Sequence, residues 1–203
     1  MIYIIMSTAR KLPPKYENPI DNLLVSIAEK LNPLFYKLGF NPNGITTLSL
    51  IFGILFNYYY FSKNYEIASI MILLSYFFDC MDGNFARTYN MQTKFGDYYD
   101  HIKDVLVMLV FAGILFLYSD VPLKFKMFGL IVAILMTFGV MMHVGCTEKY
   151  VFARKLKNIN KSGFLDNFKN TCSKIDDMQF IRYFGCGTFN VFIALFVLSH
   201  KFF

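Results

Sequence analysis

The sequence is poor in charge, since Asp, Glu, Lys and Arg make up only 17% of its 203 residues, and it contains no tryptophan. Apolar residues reach 56%, which is high for a soluble domain. They cluster in blocks about as long as a bilayer is thick. This pattern argues against a soluble domain and predicts an integral, multi-pass membrane protein.

Other common features are also missing. The N-terminal MIYIIM is too short for the apolar core of a signal peptide, so no cleaved targeting segment is expected. We recognise no internal repeat and no separate soluble domain. Cysteine is scarce, and Cys80, Cys146, Cys172 and Cys186 match neither zinc nor disulfide spacing. We expect them to be small core hydrophobes.

Basic residues outnumber acidic ones, 20 to 14, and give a formal net charge of +6. An excess of this kind could indicate nucleic acid binding. A membrane-embedded chain more often uses Lys and Arg for topology and for anionic lipid headgroups. We therefore expect membrane lipids, and not nucleic acid, as partners.

The chain divides into a polar N-terminal tail, residues 1–17, and a single membrane domain, residues 18–203. The tail contains a proline pair and is expected to be poorly ordered. Residues 18–40 have apolar positions at helical spacing, which predicts an amphipathic helix in the membrane interface, kinked or divided at Pro33. The fold class is then an all-α polytopic bundle of five to six transmembrane helices. Five spans can be counted, at about residues 45–61, 65–86, 97–118, 124–146 and 180–198.

The distribution of Lys and Arg predicts the orientation in the membrane. Placing the N-terminus in the cytoplasm puts residues 1–43, 87–96 and 147–182 on that side, together with most of the basic residues. In a eukaryotic cell the membrane would be the endoplasmic reticulum or another endomembrane.

Two pairs of aspartates lie where the second and third spans meet. Asp79 and Asp82 close one span, and Asp100 and Asp104 open the next. Residues three or four apart share a helix face, so antiparallel helices would bring the pairs face to face. Charges in a span cost about 2.5–3.5 kcal/mol each, and carboxylates suit hard divalent ions. The pattern predicts a divalent metal site at the membrane edge, and the orientation above places it at or just below the cytoplasmic surface.

Small and polar residues accompany these acids. Gly83 and Ala86 share the face of the first pair and would let a ligand approach the backbone. Arg87 offers a charged fork for a phosphate. Thr93 and Gly96 add a hydroxyl and a bare backbone in the loop that follows.

Together these residues spell D-x2-D-G-x2-A-R-x8-G-x3-D-x3-D, from Asp79 to Asp104, with every spacing intact. The motif resembles the signature of the CDP-alcohol phosphotransferases. Upstream, Asn43 and Thr46 resemble the Pro-Asn-x-x-Thr element that opens the first span in that family. The resemblance covers roughly residues 18–146. It implies that the protein is a transferase.

The resemblance implies a metal-dependent reaction. Asp79, Asp82 and Asp100 would be the main ligands of one or two Mg²⁺ or Mn²⁺ ions, with Asp104 at a second ion or nearby. Asp104 would act as general base on the acceptor hydroxyl, which attacks the phosphorus distal to cytidine and releases CMP. Cytidine and its phosphates would be surrounded by Asn43, Thr46, Gly83, Ala86, Arg87, Thr93 and Gly96. Family members usually have six spans, and many are homodimers.

His101 directly follows Asp100 and is a second candidate base; a role in orienting an aspartate is the alternative. Asp-His at this point is similar to the amino-alcohol subgroup, which transfers from CDP-choline or CDP-ethanolamine to diacylglycerol. The alternative is phosphatidyl transfer from CDP-diacylglycerol to a small alcohol such as inositol or glycerol phosphate.

A carboxylate-lined cation transporter is the rival class, but it gives no role to the glycines and Arg87. His143 and Glu148 close the fourth span and could line the acceptor pocket, with a satisfied polar contact as the alternative. Lys103 could bind a lipid phosphate or extend to the interface.

Overall fold

The computed structural model describes residues 10–155, 172 and 175–203, with no side-chain description for 150–155. This described part is helical throughout. Five long helices come first and account for most of the chain. They are α1 (Pro19–Lys37), α2 (Pro42–Phe61), α3 (Tyr65–Thr88), α4 (Lys94–Leu117) and α5 (Leu123–Lys155). After the gap follow the short α6 (Met178–Ile181) and α7 (Cys186–Ser199), with 3-10 turns at Ile175–Asp177, Arg182–Phe184 and His200–Phe202.

Local capping explains where the helices that carry the site begin. Asn41 precedes α2 and accepts a hydrogen bond from the Gly44 amide at 2.8 Å. Thr93 precedes α4 and accepts one from the Gly96 amide at 3.0 Å. Both side chains satisfy amides that the first helical turn leaves without a partner. The polar loop predicted between the second and third spans is therefore confined to residues 89–93.

Three stretches are long and apolar enough to cross a membrane by length and composition: Pro42–Phe61, Leu123–Lys149 and Met178–Phe202. The helical membrane fold predicted from the sequence is confirmed. Helices α3 and α4 have the length of a span but carry the aspartates and several other charged residues. The number of five spans stays a prediction.

Helix α1 is continuous through Pro33. Of the two predicted effects of this proline, the division of the helix is therefore wrong, and the kink stays a prediction. It packs on α3 through polar contacts. The Asn32 amide donates to Asn84 Oδ1 at 2.7 Å, and the Tyr76 hydroxyl donates to Asp21 Oδ1 at 2.5 Å. These contacts fix α1 beside the part of α3 that carries the first aspartate pair.

The end of the tail is packed, contrary to the expectation of poor order for all of residues 1–17. Leu12 and Tyr16 are buried. The Arg10 guanidinium donates to both carboxylate oxygens of Glu29 at 2.8 Å. Pairing with a carboxylate on α1 holds this segment against the bundle. Residues 1–9 lie outside the described part.

The cysteine interpretation is wrong for one pair. Cys146 near the end of α5 and Cys172 form a disulfide with a sequence separation of 26. They lie in a buried cluster with Leu12, Tyr16 and Met178. This pair could not be predicted from spacing, because the two cysteines come together through the packing of the tail and the α6 region. Cys80 and Cys186 are free thiols and partly buried.

Small residues let α2 approach both helices that carry the acids. Ser49 and Ser75 each donate from the hydroxyl to the other's carbonyl, at 2.8 and 2.9 Å. A Cβ on Gly53 of α2 would lie 2.6 Å from a methyl group of Val107 on α4, so α4 can approach α2 this closely because residue 53 is a glycine. Close approach through small residues is the usual way helices associate in membranes. Helix α2 thus holds α3 and α4 in a fixed register below the site.

Candidate active site

A polar cavity of about 490 Å³ opens where α2, α3 and α4 meet. It brings together ten of the residues predicted to act on substrate or metal. These are Asn43, Thr46, Asp82, Gly83, Ala86, Arg87, Thr93, Gly96, Asp100 and His101. We call it the polar cavity. Residues from three helices and the loop before α4 thus meet in one cavity.

The two remaining aspartates face a second space. Asp79 and Asp104 line a cavity of about 220 Å³ between α3, α4, α5 and α7. Its other walls are largely apolar and include Ile72, Val107 and Phe189. We call it the inner cavity. The four acids therefore stand between a polar space and a mainly apolar one.

Three carboxylates converge as a metal site requires. One oxygen each of Asp79, Asp82 and Asp100 lies within 4.8 Å of the others. Asp100 Oδ1 is buried and accepts no hydrogen bond among the described residues, although the Lys103 ammonium lies 3.1 Å away. Carboxylate oxygens are the donors that hard divalent ions prefer, and three of them in one place repel each other unless cations neutralise them. The donor set fits Mg²⁺ or Mn²⁺.

Asp82 is the most tightly held of the three. It is 6% exposed, and the Thr46 hydroxyl donates to its Oδ2 at 2.6 Å. This contact joins the Pro-Asn-x-x-Thr element on α2 to the first aspartate pair on α3. A hydrogen bond to a ligating carboxylate fixes its orientation and is part of the design of metal sites.

Lys103 lies inside the acid cluster, which overturns the prediction that it binds a lipid phosphate or extends to the interface. Its Nζ lies 2.5 Å from Asp79 Oδ1, 2.9 Å from Asp104 Oδ1 and 3.1 Å from Asp100 Oδ1. The side chain is almost fully buried. The spacing of three residues from Asp100 was the available signal, since it places both side chains on one helix face.

His101 lies at the mouth of the polar cavity. Its side chain is 74% exposed, and Nδ1 donates to the Asp97 carbonyl oxygen at 2.7 Å. It lines the cavity but lies on the outer part of α4, whereas Asp104 lies one turn deeper. The choice between these two as general base stays a prediction.

The glycines of the motif mark places without room for a side chain. A Cβ on Gly96 would lie 2.9 Å from Asn43 Oδ1 and 3.1 Å from Thr93 Oγ1. A Cβ on Gly83 would lie 3.2 Å from an Arg87 guanidinium nitrogen. Both glycines therefore let the cavity wall be formed by polar side chains of neighbouring residues.

Two lysines of the polar cavity were missed by the sequence reasoning. Lys11 comes from the packed tail, and Lys94 begins α4. With Arg87 they give the rim three cations that could meet phosphate groups. By contrast, His143 and Glu148 line neither cavity, and His143 is buried with Nε2 3.4 Å from the Tyr16 carbonyl oxygen. The prediction that these two residues form an acceptor pocket is not supported.

Parts of the chain are similar to known proteins. An archaetidylinositol phosphate synthase of Pyrococcus horikoshii is 29% identical over 96 residues, covering 47% of this chain and 47% of that protein. A CDP-diacylglycerol–serine O-phosphatidyltransferase of Helicobacter pylori is 32% identical over 110 residues, covering 54% and 44%. An uncharacterised protein of Aquifex aeolicus is 32% identical over 95 residues, covering 47% and 44%. The chain thus spans about half the length of the relatives it matches.

The family comparison covers far more of the chain than these pairwise matches. A family model described as CDP-alcohol phosphatidyltransferase matches residues 40–198. The matched range contains α2 to α7 and every residue of the acid cluster and signature motif. On this evidence the chain belongs to the CDP-alcohol phosphatidyltransferase family.

Proposed function

We propose that this protein transfers a substituted phosphate group from a CDP-alcohol to an acceptor hydroxyl and releases CMP. The observation that carries the proposal is the polar cavity. It places two of the three converging carboxylates, Asp82 and Asp100, beside a cationic rim, in a space of about 490 Å³. A nucleoside diphosphate carries the charge and the planar base that such a cavity suits.

Different residues of the cavity would bind the donor phosphates and the metal ion. Arg87, Lys94 and Lys11 lie where phosphates of the donor would bind, and Asn43 and Gly96 form the wall beside them. A divalent ion held by Asp79, Asp82 and Asp100 would neutralise charge on the leaving CMP. Thr46 keeps Asp82 in the orientation that this requires.

Proton transfer completes the reaction. The acceptor oxygen forms a bond to the distal phosphorus as the bond from that phosphorus to the CMP oxygen breaks. Asp104 takes the proton from the acceptor hydroxyl, and the Lys103 ammonium 2.9 Å away holds its carboxylate in place. The inner cavity gives Asp104 an opening separate from the polar cavity.

For the substrates, we propose a CDP-linked lipid as donor and a small polar alcohol as acceptor. Two relatives are named as an archaetidylinositol phosphate synthase and a CDP-diacylglycerol–serine O-phosphatidyltransferase, which favours this alternative over diacylglycerol as acceptor. His101 is the one residue that favours choline or ethanolamine transfer. The cytoplasmic orientation of the cavity and a homodimeric assembly remain predictions from the sequence.

The test is CMP release by the full chain purified in detergent. We would offer a panel of CDP-alcohols, including CDP-diacylglycerol and CDP-choline, with Mg²⁺ or Mn²⁺ and candidate acceptors. Release should depend on the metal and should fall below detection in Asp82→Asn. Asp120→Asn is the matched control, because Asp120 is an exposed loop carboxylate paired with Lys63, and it should keep full activity.

Two results would contradict the proposal. The first is no CMP release from any CDP substrate while the protein is folded. The second is movement of divalent ions across liposomes that contain the protein, which would favour the cation transporter. Within the panel, turnover with CDP-choline and diacylglycerol alone would return the assignment to the amino-alcohol subgroup.

A further inference from the structure

Lys103 is a cation already present in the acid cluster. It is 2% exposed, and its ammonium contacts three of the four signature carboxylates, those of Asp79, Asp100 and Asp104. A lysine is almost never fully buried unless its charge is paired. Here three acids from two helices provide that pairing.

The ammonium is held on every side. It donates to Ser49 Oγ at 2.9 Å and to Asp79 Oδ1 at 2.5 Å, and it lies 2.9 Å from Asp104 Oδ1. An ammonium has three donors, so these partners can use all of them. Ser49 is itself fixed by its hydrogen bond to Ser75 on α3. Contacts to α2, α3 and α4 therefore determine the position of this charge.

Three of the four acids form one group. Asp79, Asp82 and Asp100 bring oxygens within 4.8 Å of one another, and Asp104 lies outside this group. Lys103 contacts Asp104 and, within the group, Asp79 and Asp100. In sites with two metal ions the ions lie about 3.5–4 Å apart and share ligands. A second ion between Asp79 and Asp104 would have to occupy the position of the ammonium.

We infer that Lys103 takes the place of a second metal ion, so that the chain binds one divalent ion, at Asp79, Asp82 and Asp100. This inference rests on the proposed function for its chemical meaning. Lys103 neutralises one carboxylate charge and holds Asp104 as a base beside the inner cavity. It is a positioning residue, since it acts through the aspartates.

The experiment counts metal ions without any substrate. The full chain in detergent is titrated with Mn²⁺, and bound ions are counted by electron paramagnetic resonance. We expect one ion per chain in the wild type. Lys103→Met, which keeps the aliphatic length and removes the charge, should bind two ions and show the broadened spectrum of a close Mn²⁺ pair. Lys124→Met changes an exposed lysine and should still bind one.

Two bound ions in the wild type would overturn the inference, and so would a single ion in folded Lys103→Met. If Lys103→Met does not fold, Asp104→Asn provides the second test. It should keep the single ion, because Asp104 is not one of its ligands, and loss of that ion would contradict the assignment. A wild type that binds one ion but releases no CMP would refute only the proposed function. Release of CMP with two bound ions would refute only the role of Lys103.

Discussion

Removing the Thr46 hydroxyl tests whether Asp82 works as an oriented metal ligand. Thr46→Val keeps the branched shape of a side chain that is nearly fully buried, and it removes the donor 2.6 Å from Asp82 Oδ2. Asp82 then has to hold its position without its hydroxyl partner. We expect weaker metal binding and slower turnover in a chain that still folds.

The size of the effect follows from the chemistry of this hydrogen bond. A hydrogen bond to a charged group contributes about 1.5–3 kcal/mol. Each 1.36 kcal/mol corresponds to a factor of ten, so kcat/KM for CMP release should fall roughly 10- to 150-fold. The Kd for Mn²⁺ should rise in the same direction, because the contact acts on the ligand and not on the nucleotide.

Thr47→Val is the matched control. Thr47 is the next residue on α2, is exposed, and donates to the Asn43 carbonyl oxygen at 2.8 Å. The same change of residue type on the same helix has the same intrinsic effect on helix formation. A Thr46→Val enzyme within threefold of both the wild type and Thr47→Val, in kcat/KM and in Mn²⁺ affinity, would refute the role of this contact.

Four other perturbations have defined outcomes. Gly96→Ala should lower kcat/KM, because the added Cβ would lie 2.9 Å from Asn43 Oδ1. Unchanged kinetics would show that the Asn43 side chain can move aside without loss of activity. Reduction of Cys146–Cys172 should lower the thermal midpoint, because closing a loop of 26 residues contributes about 3–4 kcal/mol; an equal midpoint would contradict this. Burial raises the pKa of Asp21 from 3.8 to about 7, so the folded chain retains a proton that the unfolded chain loses. The thermal midpoint should therefore decrease as the pH is raised from about 4 to about 7, and Asp21→Asn should make the midpoint less dependent on pH over that range. Chelation of Mg²⁺ by EDTA should lower the midpoint by several degrees, and no shift would argue against an ion bound to the folded state.

The parts of the site that the sequence predicted are those set by helical spacing. Asp79 with Asp82, and Asp100 with Asp104, each lie on one helix, so their mutual placement depends only on local geometry. Asn43 and Thr46 of the Pro-Asn-x-x-Thr element likewise occupy the first turns of one helix, α2. Their place in the site, however, was predicted from the family resemblance and not from helical spacing.

The parts that the sequence did not predict depend on contacts between distant segments. Lys11 reaches the cavity because Leu12 and Tyr16 pack the tail beside α5 and α6. The spacing of apolar residues along the chain does not show which buried cluster Leu12 and Tyr16 join. The disulfide of Cys146 and Cys172 has the same origin. The role of Lys103 depends on Ser49 of α2, which lies 54 positions away along the chain.

The acids also show why a membrane helix can carry so many charges. Asp82 has the Thr46 hydroxyl, and Asp79, Asp100 and Asp104 share the Lys103 ammonium, so each of the four carboxylates has a partner. Asp100 Oδ1 lies 3.1 Å from that ammonium but accepts no hydrogen bond within the described residues. Three carboxylates beside a single ammonium still repel one another. A further positive charge beside Asp100, on the side of the polar cavity where the donor phosphates would bind, would reduce that repulsion.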